Sequence, residues 1–194
     1  MRVSIRVLAA LACSWVAAAC SAAPASSSGV GEDAGPVCSD GGPSGGSCTP
    51  YVSCADLTTP TVSFSSDVLP VFNHSCGMGG QQCHGDPNVA PHTAQPYLGQ
   101  SPGTANVATI FAGLLDQPAA EDTQISLVAP GNPDKSYLMH KVDGDACRYA
   151  AECNKTANPL FKNCGIQMPF NAGSLDAAKR DTIRRWIAQG AKNN

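Results

Sequence analysis

The sequence predicts a mainly α-helical, loop-rich small domain over residues 62–194, stapled by disulfides and preceded by a disordered tether. Three observations point there. Three segments of that region carry apolar residues at helical spacing, the first and last behind a capping side chain. No long run alternates apolar and polar residues as a half-buried strand would. Ten cysteines stand in a chain that opens like an exported protein.

Arg2 and Arg6 make a basic start, and residues 7–19 are apolar and small apart from Ser14. Such a stretch is too short to span a bilayer and reads as a secretory signal peptide. Ala17-Ala18-Ala19-Cys20 resembles a bacterial lipoprotein cleavage box, making residues 1–19 the signal and Cys20 the lipidated first residue. An ordinary secreted protein cut near Ala23 is the alternative. Both routes lead to a compartment where disulfides persist. Residues 20–61 are rich in Ser, Gly, Ala and Pro and read as a tether that cannot bury enough apolar surface to order itself. Cys38, Cys48 and Cys54 interrupt it, which implies that its later part is stapled to something.

Ser65-Ser66-Asp67 offers a cap for a short helix with Val68, Leu69, Val71 and Phe72 apolar, and Pro70 falls in the tolerant first turns. Residues 104–115 place Val107, Ile110, Phe111 and Leu114 on one helical face. Residues 136–142 suit another short helix, after the turn Ala129-Pro130-Gly131-Asn132-Pro133. Ser174 is the expected cap of a last helix carrying Leu175, Ile183, Trp186 and Ile187 inward and stopping at Gly190. The formal charge is −3, and loss of Arg2 and Arg6 with a signal leaves the mature chain near −5. Lys179, Arg180, Arg184 and Arg185 gather on the last helix and read as a solvated face. No basic patch with interleaved aromatics argues for nucleic acid.

Chemistry concentrates at two places. Cys83-His84-Gly85 sets a thiol that can add to a porphyrin vinyl group beside an imidazole that can bind its iron. Met168-Pro169 supplies a thioether, the soft ligand that raises the potential of a His-ligated haem. The usual attachment signature is C-x-x-C-H; here Cys76 lies six residues before Cys83, with Gly77, Gly79 and Gly80 in the spacer. Met78 and Met139 lack such a setting. His74, His92 and His140 read as solvated or hydrogen-bonded rather than ligating. A zinc site wants closer ligand pairs, and no serine or thiol has the surroundings of a nucleophile.

The run Phe64-x2-Asp67-Val68-x-Pro70-Val71-Phe72-x3-Cys76 followed by Cys83-His84-Gly85 resembles the opening of class I-like c-type cytochrome domains of the planctomycete and myxobacterial kind. Val128-x-Pro130-Gly131-x-Pro133-x2-Ser136-Tyr137-Leu138 is similar to that family's middle. Met168-Pro169, Leu175 and Ile183-x2-Trp186-Ile187-x-Gln189-Gly190-Ala191 resemble its ending. The resemblance covers most of residues 64–191 in the family's order. It implies a cytochrome c-like helical fold whose first and last helices cross, with Phe72 and Trp186 among the contacts. It also implies haem c bound through Cys76 and Cys83, with His84 and Met168 as the iron's axial, metal-binding ligands.

The six-residue spacer departs from the family pattern, because a two-residue spacer sits on one helical turn and six need a loop, which glycine permits. Two other readings stay open: Cys76 and Cys83 as a disulfide in a haem-free descendant, or Cys83 alone carrying the haem. Setting aside Cys20, Cys76 and Cys83 leaves three cysteines upstream (Cys38, Cys48, Cys54) and three downstream (Cys147, Cys153, Cys164). If all pair internally, at least one bridge must join the two sets, and it would pin the tether against the loop before Met168. Residues 147–164 read as a stapled insertion suited to partner docking.

The expected function is an envelope-anchored monohaem cytochrome that carries single electrons between redox partner proteins of the cell envelope. It would be an electron carrier rather than an enzyme, and a peroxidase would need an open distal position. It would meet the membrane only through its lipid anchor, on the periplasmic or surface side, and Ser21 after Cys20 resembles an outer-membrane sorting signal. The alternative is a haem-free structural or interaction lipoprotein on the same scaffold, with Cys76 and Cys83 bonded.

Overall fold

Helix caps and an aromatic cluster explain most of the architecture. The structure is a computed structural model and describes residues 38, 42–44, 47–77, 83–87, 96–100, 102–170 and 172–194. These belong to the unit Gly35–Asn194. The expected signal peptide, the expected lipidation site Cys20, and Met78, Gly79, Gly80 and His92 lie outside the described residues.

Ser63, two residues earlier than expected, starts the first helix: its side chain accepts from Ser66 N–H, and the Asp67 carboxylate reaches back to Ser63 N–H at 2.8 Å. This reciprocal cap resembles a capping box with an acid one position later. A wide turn, Phe64–Val68, runs into α1, Leu69–Ser75. Asn106 caps α2, Val107–Leu114, by accepting from Thr109 N–H at 3.1 Å. α3, Tyr137–Asp143, ends at Gly144 in the left-handed conformation, and α4 is the single turn Ala150–Cys153. Asp176, not Ser174, caps α5, Ala177–Ala188, which stops before Gly190 at φ 95°. Short 3-10 turns cover Pro133–Lys135, Ala146–Tyr149 and Pro159–Cys164. A two-stranded antiparallel hairpin, β1 (Gly42–Ser44) with β2 (Ser47–Thr49), pairs Pro43 with Cys48. The mainly α, loop-rich expectation holds. No helix among the described residues is long and apolar enough to cross a membrane.

The core is aromatic at its centre. Phe64 packs on Phe111 with ring centres 4.7 Å apart and on Trp186 at 5.3 Å, and Phe72 meets Trp186 edge-on at 6.2 Å. Edge-on and tilted pairs of this kind add to the area they bury. Ile183, Trp186 and Ile187 all turn inward, joined by Val68, Ile110, Leu114, Val128 and Val142. The Pro130-Gly131 turn is tied to α5, Gly131 N–H donating to the Ile187 carbonyl at 2.7 Å.

Among the described residues three disulfides staple the chain: Cys38–Cys54, Cys48–Cys147 and Cys153–Cys164. One of them joins the upstream and downstream sets, as parity required. Composition starts the folded domain at residue 62; contacts start it earlier. Residues 47–61 form a strap across α5. Gln189 donates to the carbonyl of Pro60 and accepts from Val62 N–H, and Arg185 Nε donates to the Asp56 carbonyl at 2.7 Å.

The strap also corrects the reading of the basic helix. Arg180 and Arg184 are buried, not solvated: both pair with Asp143, and their guanidinium carbons lie 4.3 and 4.5 Å from the ring centre of Tyr51. A helical face looks solvent-exposed in sequence when the segment that covers it lies more than a hundred residues away.

Candidate functional site

Cys76 terminates α1 and its sulfur is buried against the core. The chain then leaves and returns: His84 N–H donates to the Cys76 carbonyl at 3.0 Å. That bond closes the segment 77–83 at its base, so the six intervening residues do not separate Cys76 from Cys83 and His84. Glycine makes the closure possible. A Cβ on Gly85 would lie 2.2 Å from the Gly77 carbonyl oxygen, and one on Gly77 would lie 2.5 Å from that of Gly99. Three backbones thus cross where no side chain fits.

The third backbone is the segment 96–100, which sequence reading left without a role. Leu98 N–H donates to the His84 carbonyl at 2.9 Å, and His84 Nδ1 lies 2.8 Å from the Pro96 carbonyl. A carbonyl only accepts, so Nδ1 carries the proton and Nε2 of the neutral ring keeps its lone pair. Burial lowers the His84 pKa; the Pro96 bond opposes this, and the positive charge of Lys141 adds to it.

Both cysteines are free thiols, Cys76 buried and Cys83 exposed. The disulfide between them, expected under the haem-free alternative, is not present in this structure, where Cys76 is buried at the end of α1 and Cys83 is exposed. Burial, reinforced by the neighbouring Cys83, pushes the Cys76 thiol up to about 12.

Met168 is half-buried and arrives from the other end of the sequence. Its N–H donates to the Lys141 carbonyl at 2.9 Å. The structure thus joins Cys76 to His84 through their backbones, while Met168 is held to α3 at Lys141, whose charge is felt at His84. Lys141 was missed by the sequence reading because a lysine at a helical position ordinarily faces water. Here it is buried, its ammonium donating to the Cys164 carbonyl at 2.8 Å and lying 3.7 Å from Glu121 Oε1.

The other candidates are accounted for. His140 is enclosed by Asp145 on Nδ1, and by Tyr149 and the Asp134 carbonyl on Nε2. His74 is exposed and Met139 is core. Among the described residues no three or more His, Cys, Asp or Glu converge as a metal site, a test that one imidazole and one thioether would not meet. Two cavities of about 410 Å³ lie elsewhere, one between residues 57–62 and the end of α5, the other between the strap and α3. In residues 159–170, Leu160, Ile166 and Phe170 are exposed. Compared with protein-family models, curated proteins and solved structures, the chain matches none.

Proposed function

We propose that this chain is a monohaem c-type cytochrome on a cytochrome c-like helical scaffold, carrying single electrons in the bacterial cell envelope. Cys76 and Cys83 would hold the haem covalently, and His84 and Met168 would be the residues offered to its iron. The observation that carries the reading is the His84 ring. It is half-buried, held neutral by its surroundings and oriented by the Pro96 carbonyl, which leaves the Nε2 lone pair free in a segment that carries two free thiols. Metal-bound histidines are commonly fixed in this way through their second nitrogen.

A haem bound there supplies a one-electron iron couple, tuned by its axial ligands and by burial. The chain's own residues do the rest. Pro96 holds the imidazole tautomer, the Gly77, Gly85 and Gly99 crossing sets the height of the Cys-His segment, and the aromatic core backs Cys76. Leu160, Ile166 and Phe170 offer a redox partner protein an apolar landing near Met168. Cys20 would tether the carrier to the membrane by lipid alone.

The test is expression with a complete cytochrome maturation system. The expected product is red, has a Soret band and keeps its haem after denaturation, whereas His84→Ala does not. Met168→Ala is expected to keep covalent haem and lose the long-wavelength iron–sulfur band. A colourless wild-type protein with Cys76 bonded to Cys83 would return the haem-free lipoprotein reading instead.

A further inference from the structure

We propose that Lys141 is the positioning residue for Met168: this one residue of α3 grips the loop 164–168 at both ends and so fixes where the thioether sits. The inference rests on the haem reading for what the thioether does, and on geometry alone for the grip. The Lys141 carbonyl accepts Met168 N–H at 2.9 Å, and its ammonium donates to the Cys164 carbonyl at 2.8 Å. Tyr137, one turn earlier on the same face, donates its hydroxyl to that carbonyl at 3.2 Å. Cys164 is also bonded to Cys153, so the gripped point is anchored from the far side.

Between the two ends the loop runs against the ammonium itself. Gly165 has φ 68°, and a Cβ there would stand 3.2 Å from Lys141 Nζ. Burying an ammonium is unfavourable unless it is paired and hydrogen-bonded. Here Cys164 supplies the hydrogen bond, and Glu121, similarly enclosed, the counter-charge. Solubility of α3 would be served equally well by an exposed lysine, so the burial reflects the loop that the ammonium holds.

The experiment compares Lys141→Met, Lys141→Arg and Tyr137→Phe in the full chain, with amide hydrogen exchange and spectroscopy as readouts. In Lys141→Met, exchange across 165–168 should accelerate on the order of tenfold or more, as expected for loss of a charge-assisted hydrogen bond. In the haem-loaded form the iron–sulfur band should weaken and the midpoint potential fall toward that of Met168→Ala. Lys141→Arg should restore both, and Tyr137→Phe should shift both in the same direction by less. Unchanged exchange at 165–168, or a full-strength band in Lys141→Met, overturns the proposal. If Lys141→Met does not fold, Tyr137→Phe decides, and no change there overturns it. A colourless wild type would sink the haem reading, while the exchange arm, which needs no haem, still decides the grip.

Discussion

His84 shows what a residue-level reading captures and what escapes it. The Cys-His-Gly triplet was legible because thiol, imidazole and missing side chain each have a chemistry of their own. Pro96, which orients the ring, was not, because it acts through a main-chain carbonyl that every residue type carries. Gly85 was legible as a flexible position, whereas its contact with the Gly77 carbonyl required coordinates. Gly85→Ala is therefore expected to destabilise the fold by about 1–3 kcal/mol, the usual range for forcing volume into a filled space. It should also lower the yield of covalent haem, since the added methyl pushes apart the backbones that set Cys76 beside His84. Urea unfolding of the haem-free chain and haem staining of the matured chain read the two effects.

At the level of elements, helix existence and inward faces could be read, because Ile183, Trp186 and Ile187 keep a helical period that burial then uses. The caps slipped by two residues at α1 and α5, since periodicity does not choose between neighbouring Ser and Asp candidates. The strap over α5 was invisible, because no local pattern announces a partner so distant in sequence. Removing Asp143 should expose its importance: Asp143→Ala leaves two buried guanidinium groups without their shared carboxylate, at a cost of roughly 3–5 kcal/mol in chemical denaturation.

The strap has an acid limit as well. Asp145 accepts from Tyr51 N–H at 3.1 Å and from the His140 ring at 2.8 Å. Burial works to raise its pKa, but the His140 bond and charge, the Tyr51 amide and Arg148 together hold it below the usual carboxylate range. Because the folded value is depressed, the stabilisation is fully present above the unfolded value of about 4 and is lost as pH falls through the folded one. The protection of Tyr51 N–H against exchange, relative to the intrinsic rate at each pH, should fall in acid below about pH 4, and Asp145→Asn should flatten that dependence.

For the whole molecule, cysteine parity required a bridge between the two ends of the chain without naming it. Cys48–Cys147 spans 99 residues and Cys153–Cys164 spans 11. Chain entropy then assigns the longer loop about 4.7 kcal/mol and the shorter a little under about 3. Cys48→Ser with Cys147→Ser should thus lower the denaturation midpoint more than Cys153→Ser with Cys164→Ser. The connectivity itself was not legible, because parity constrains a matching and does not choose one.

If residues 76–84 take covalent haem as proposed, the amide of His84 meeting the carbonyl of Cys76 has a wider implication for how attachment motifs are recognised. The base of that excursion is closed, so its length is decoupled from the separation of Cys76 and His84. A scan that counts positions between cysteines measures contour along the polypeptide, whereas a maturation enzyme meets only the gap across which the thiols face their substrate. Chains of this kind will be passed over by any search that fixes the count, and retrieved by one that asks whether the excursion is pinched shut.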